Sequence, residues 1–228
     1  MLDRLNQAFK AQEQFNYNVA HELKTPLALM QAQIESFPID NPDIKPETEL
    51  FLKSLGEQIE RLNQMSKVLL EIANLNNIPL NEQVELNPMV EEIIADLSLL
   101  ADKKNIALST TGNSCITGSD TLLYQMIYNL VENAIKYNNQ DGSVSIDIYN
   151  DDKHTYIQVK DTGNGIPKEY QETIFQPFFR IDKSRNRQFG GVGLGLALVY
   201  EIAKLHKASV YVKDSNSNGT IIEVKMER

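Results

Sequence analysis

Two stretches of the 228-residue sequence gather side chains able to do chemistry. In the first, NVAHELKTPL, His21 and Glu22 stand side by side and Thr25 follows one helical turn after the histidine. An imidazole is a nucleophile near neutral pH. A neighbouring carboxylate that accepts a hydrogen bond from one ring nitrogen makes the other more nucleophilic. His21 falls between the apolar positions Val19 and Leu23, off their seam, which favours an exposed ring over a core histidine. A histidine beside a glutamate on a helix is nevertheless common, and this stretch alone does not decide.

The second region runs from residue 129 to 195 and holds four local features. In NLVENAIKY, Asn129 and Asn133 are spaced i, i+4, so both amides leave one helix face, with Lys136 and Tyr137 on the next turn. A carboxamide oxygen is a neutral ligand suited to Mg2+, and a lysine supplies a point charge for phosphate. An ordinary polar helix end would look the same. In DTGNGIP, Asp161 can accept a hydrogen bond from an exocyclic amine such as adenine's, while Gly163 and Gly165 allow a tight turn beside a ligand. A plain Asp-Gly turn is the simpler alternative. IFQPFFRIDKSRNRQ carries Arg180, Lys183, Arg185 and Arg187 after its aromatics, which suits a lid over polyphosphate or a solvated basic loop. In GGVGLGLAL, Gly190, Gly191, Gly193 and Gly195 open a helix whose first amides can bind phosphate. It is neither the dinucleotide fingerprint nor a Walker motif, since the spacing differs and no GK[ST] occurs.

These features sit on two halves with different patterning. Up to about residue 76 the apolar residues keep 3–4 spacing: Leu2 to Phe37 on one helix, then Leu52 to Ala73 on a second from about Glu47. FPIDNPDIKP, with three prolines, predicts the loop between them. Two helices cannot bury both stripes against each other, so a second copy completing a four-helix bundle is expected. From about Leu86 the pattern predicts a helix with Pro88 near its start, a strand NIALSTT, and a second helix capped by Ser119 or Asp120. The paired strands GSVSIDIYN and HTYIQVKD follow, then a helix over about 193–205 and two last strands joined by SNSNG. That order gives helices on one face of a mainly antiparallel sheet, an α/β layer domain. The boundary is expected near residue 78, giving domains 1–78 and 79–228.

Composition excludes several classes. The chain is 42% hydrophobic and 23% charged, as a folded protein is, and has no apolar run long enough for a transmembrane helix. MLDRLNQAFK carries charge where a secretory signal needs an apolar core. A net charge of −9 argues against binding nucleic acid. The single cysteine, Cys115, permits no internal disulfide and fits a reducing compartment; it reads as a small residue in or beside a strand.

In order and spacing, the asparagine helix, DTGNG, the aromatic-basic segment and GVGLGL resemble the ATP-binding domain of sensor histidine kinases, of the histidine kinase/gyrase/Hsp90 type. The resemblance implies ATP and Mg2+ as cofactors, with Asn133 on the metal and Asn129, Lys136 and Tyr137 along the nucleotide. Asp161 would read adenine, with Gly163, Gly165 and Ile166 forming its loop. Arg180, Lys183, Arg185, Gly191, Gly193, Leu194 and Gly195 would approach the phosphates. Hydrolytic members of that superfamily carry a glutamate four residues before the metal asparagine; here Asn129 stands there and cannot act as a general base. Such a site needs an acceptor from elsewhere, and FNYNVAHELKTPLALM is similar to the phosphoacceptor box of the same kinases. The resemblance therefore implies autophosphorylation of His21 assisted by Glu22, then transfer to an aspartate of a response regulator. Glu22 and Thr25 would serve in dephosphorylating that regulator. It also implies a homodimer and, since no membrane anchor or sensing region precedes His21, the cytoplasmic portion of a bacterial inner-membrane sensor. An ATPase that uses hydrolysis for conformational work and a dimerising signal module without catalysis are the alternatives.

Overall fold

The computed structural model describes residues 23–39, 41, 43–181 and 193–228. They fall into two compact units, a helical one ending at Leu75 and an α/β one starting at Asn76.

In the first unit residues 23–39 are helical (α1) and Pro46–Asn74 form α2. Ile34 of α1 lies against Gly56 of α2, where an added Cβ would meet its Cγ2 at 3.8 Å. Leu27, Ile59 and Ser66 are buried, but Leu29, Met30, Leu50, Phe51 and Leu62 remain exposed. The connecting loop is shorter than its prolines predict. Pro38 stays inside α1, because a proline costs the helix one N–H donor but keeps a helical φ. The backbone N–H and side-chain amide of Asn41 both donate to the Phe37 carbonyl and close that end. Pro46 then opens α2 at its first turn, where its missing N–H costs nothing.

The second unit contains β1 (Glu82–Glu85), α3 (Leu86–Asp102), β2 (Ala107–Thr111), β3 (Cys115–Gly118) and α4 (Asp120–Lys136). β4 (Ser143–Asn150), β5 (His154–Asp161), α5 (Gly195–Leu205), β6 (Ser209–Asn216) and β7 (Gly219–Glu227) complete it. The main sheet has the order β2-β4-β5-β7-β6, antiparallel except for the parallel β2–β4 pair. One face supplies the core: Ile146 pairs with Val159 and Val159 with Ile222, and all three are buried. The period-2 alternation of these strands matches one covered face. The small β1–β3 pair is too short to stand out in the sequence; Cys115 opens β3 with its side chain exposed.

α4 packs against both α3 and α5. Leu122, Leu123, Met126, Ile127, Leu130, Val131, Ala134 and Ile135 are buried along it at 3–4 spacing. Each large side chain so buried is worth roughly 1.5–3 kcal/mol, which fixes the rotation of the helix about its axis. Asn129 and Asn133 are thereby held at the edge of the apolar stripe, half-exposed. The Ser119 hydroxyl accepts from the Leu122 N–H at the N-cap. At the other end the Lys104 ammonium donates to the carbonyls of Ile135, Lys136 and Asn138.

Candidate nucleotide site

A cavity of about 330 Å3 opens between α4, the end of β5 with its following loop, and α5. That is the size of a small-molecule site. Leu130, Ala134, Val159 and Ile222 make it apolar, while Asn133, Tyr137, Asp161 and Thr220 bring polar groups to it. Gly165, Ile166 and Arg180 also line it.

Asp161 is the last residue of β5 and only partly exposed. Burial raises its pKa above the ordinary carboxylate value, against the pull of two backbone hydrogen bonds. Those bonds come from Gly163 N–H at 2.7 Å and Thr220 N–H at 3.2 Å, and both end on Oδ1. Oδ2 is left to accept from a ligand, in a position fixed by the two amides. The loop after Asp161 lies against the β6–β7 hairpin: a Cβ on Gly165, at φ +73°, would fall 2.0 Å from the Asn216 carbonyl oxygen. Only glycine meets both demands there. Ile166 N–H donates to the Ser215 hydroxyl at 2.7 Å, completing that seam.

Asn133 lines the opposite wall, and one turn before it Asn129 donates its amide to the Gln125 carbonyl at 2.8 Å, leaving its Oδ1 free of that bond. That oxygen lies beside Gly195, whose added Cβ would be 2.8 Å away, with the Asn133 amide 3.6 Å from the same point. The first residue of α5 and the two asparagines are thus brought together. Gly193 takes φ +78°, and its carbonyl accepts from Phe178 N–H at 2.8 Å. Leu194 buries its side chain in the core, so it can face a ligand only with its backbone. Lys136 is engaged with Glu132 of its own helix at 2.8 Å and is not among the cavity-lining residues.

Thr25 lies on α1 with its side chain exposed. His21, Glu22, Lys183, Arg185 and Gly191 lie outside the described residues. Sequence reasoning missed Thr220, Phe179, Ile174 and Leu196, which also line the cavity. Thr220 had a signal: a lone hydroxyl at the start of the apolar strand TIIEVKM. Among the described residues no three His, Cys, Asp or Glu converge as a metal cage. The chemistry of the donor set nonetheless fits Mg2+, which takes one or two protein oxygens and completes its shell with phosphate and water.

Comparison with known proteins adds two domain assignments. Residues 11–78 match the His Kinase A (phospho-acceptor) domain, and residues 118–228 match the Histidine kinase-, DNA gyrase B-, and HSP90-like ATPase. The sensor histidine kinase RppB of Synechocystis sp. is 32% identical over 226 residues, covering 96% of this chain and 50% of RppB. The chain thus spans about half the length of the curated relatives it matches. Among solved structures, Acinetobacter baumannii histidine kinase AdeS superposes with a TM-score of 0.65 at 25% identity, covering 91% of this chain and 97% of that one. The histidine kinase ThkA, solved in complex with the response regulator protein TrrA, shares the fold at a TM-score of 0.65 and 22% identity. That alignment covers 97% of this chain and 63% of ThkA.

Proposed function

The chain belongs to the sensor histidine kinases of two-component systems, and on that premise we propose that it phosphorylates itself on His21 with ATP bound between α4 and α5. Residues 1–78 form the dimerisation and phosphoacceptor domain and residues 79–228 the ATP-binding domain. The observation that carries the reading is the polarity of the cavity: one fixed carboxylate oxygen at one wall and the Asn133 amide at the other, with Asn129 and the N-terminus of α5 beside it. Asp161 accepts from the adenine amine, and Tyr137, Gly165 and Ile166 border the base. Asn133, with Asn129 beside it, faces the phosphates at the start of α5, where backbone N–H groups point outward. Gly191, Gly193, Leu194 and Gly195 meet the phosphates through their backbone, with Lys136, Arg180, Lys183 and Arg185 supplying positive charge. When bound, Mg2+ held by Asn133 would neutralise charge developing between the β- and γ-phosphates.

In the transfer the bond from the bridging oxygen to the γ-phosphorus breaks, a bond from a His21 ring nitrogen forms, and ADP leaves. Glu22 takes the proton from the other ring nitrogen. Such a transfer depends on positioning and charge more than on covalent chemistry from the protein. The phosphoryl group then passes to an aspartate of a response regulator, the kind of partner in the ThkA complex. Glu22 and Thr25 serve the reverse function, placing water against the regulator's aspartyl phosphate. Exposed Leu29, Leu50 and Phe51 support pairing of two chains through their hairpins. No helix among the described residues is long and apolar enough to cross a membrane. We assign the chain to the cytoplasmic side of an inner-membrane sensor, where ATP and regulator meet it.

The test is incubation with γ-labelled ATP and Mg2+. A label on the protein that is lost in acid, and absent from His21→Gln, is expected. An acid-stable label, a labelled His21→Gln chain, or rapid ATP turnover with no labelled protein would each refute the assignment.

A further inference from the structure

Asn138 follows directly on Tyr137, the C-cap of α4, and is 6% exposed. Its oxygen accepts from the Asn139 N–H at 2.9 Å and from the Thr162 hydroxyl at 3.0 Å, and its amide donates to the Ser143 carbonyl at 2.9 Å. Thr162 follows directly on Asp161. Its hydroxyl oxygen in turn accepts from Ser143 N–H at 2.8 Å, and its carbonyl accepts from the Asn139 side-chain amide at 2.9 Å. Two glycines make room for this junction. A Cβ on Gly142 would fall 2.4 Å from the Asn138 oxygen and 2.7 Å from the Thr162 hydroxyl. One on Gly163 would fall 2.5 Å from the Tyr137 carbonyl oxygen.

Neither Asn138 nor Thr162 lines the cavity, yet each adjoins a residue that does: Tyr137 on one wall and Asp161 on the other. We propose that Asn138 is a positioning residue for ATP, acting through Thr162 to fix the spacing between the α4 wall and the Asp161 loop. The inference rests on the nucleotide reading of this cavity. The side-chain type is dictated by the bonds. Two donors converge on one oxygen while the other atom must donate to Ser143, which an amide can do and a carboxylate cannot. A buried amide with its polar atoms so engaged specifies one geometry, because any shift leaves a buried group unpaired.

The test compares the full chain with Asn138→Ala, Thr162→Val, the double variant and Thr162→Ser, measuring autophosphorylation against ATP concentration together with thermal melting. Each single loss should raise the KM for ATP about tenfold, the order expected when a buried partner is removed, with kcat at saturating ATP within about twofold. The double variant should be no worse than the weaker single, because both remove one junction. Thr162→Ser keeps the hydroxyl and should restore the parental KM. A fall in melting temperature with KM unmoved, additive losses, or a serine variant as poor as valine would overturn the proposal. Thr162→Val and Thr162→Ser decide it even if Asn138→Ala does not fold. A parent chain that neither binds ATP nor becomes labelled would remove the nucleotide reading itself and this inference with it. A labelled parent with a normal KM in Thr162→Val removes the positioning role alone.

Discussion

Replacing Asp161 by asparagine changes one atom and should change what the cavity accepts. In the native side chain Oδ1 takes the N–H groups of Gly163 and Thr220, and Oδ2 is left to the ligand. An asparagine must keep an oxygen on those two amides, so its NH2 is forced into the position that would otherwise accept from adenine. A charge-assisted hydrogen bond, worth roughly 1.5–3 kcal/mol, becomes a contact between two donors. That corresponds to a loss of about 10- to 150-fold in ATP affinity. Burial already holds the Asp161 pKa up, so the charged form bears a desolvation cost that the neutral amide escapes. The nucleotide-free variant should therefore melt no lower than the parent. The same NH2 can donate to the carbonyl oxygen that guanine carries where adenine has its amine, so the preference for ATP over GTP should narrow. Calorimetric titration of both nucleotides, with a melting curve of each free protein, checks all three. An ATP affinity within threefold of the parent, or equal losses for ATP and GTP in a folded variant, would refute the role given to Asp161.

Other perturbations follow from the same contacts. Gly165→Ala sets a Cβ against the Asn216 carbonyl at a positive φ; about 1–3 kcal/mol of strain is expected, read as a lower urea midpoint and weaker ATP binding. Lys104→Met leaves the last carbonyls of α4 without their ammonium donor and should cost about 1–2 kcal/mol in urea unfolding. His206 donates from Nδ1 to the Ile202 carbonyl and accepts at Nε2 from Ser119 N–H, so the ring is held neutral, and burial lowers its pKa below 6.5. Its contribution is present above pH 6.5 and is lost as pH falls through the lowered value; melting temperature should drop between pH 7 and 5 in the parent and less in His206→Gln.

Much of the α/β unit was legible because its elements are long and periodic. The asparagine helix, the β4–β5 hairpin and the helix after the glycines stand where the patterning puts them. Less legible were features set by tertiary closure. Pro38 remains helical because Asn41 caps the turn beyond it, a relation no local proline rule carries. The β1–β3 pair joins segments of four residues too short to show alternation. The ion pair of Lys136 with Glu132 also went unread, although the i, i+4 spacing of the two residues allows it. Thr220 and Asn138 belong to the site only because the β6–β7 hairpin and the turn after α4 fold back against the Asp161 loop. Distances in sequence of 59 and 24 residues separate the partners in those contacts.

The arrangement on α4 bears on why such a site would hand its phosphoryl group to a side chain instead of water. Hydrolysis needs a base beside the γ-phosphate to draw a proton from the attacking water. At Asn129 the side chain is an amide, and its NH2 is spent on the Gln125 carbonyl, so no proton acceptor of useful basicity is offered there. Glu132 is the nearest carboxylate in that stretch of the helix, and it is held by the Lys136 ammonium at 2.8 Å. That carboxylate is taken up by its ion pair, and it is not among the residues that line the cavity. Among the described residues of α4 beside the cavity, none can activate water. A bound nucleotide would then keep its γ-phosphate until a nucleophile that needs no activation by this wall is brought to it, and an imidazole oriented by its own neighbouring carboxylate meets that requirement.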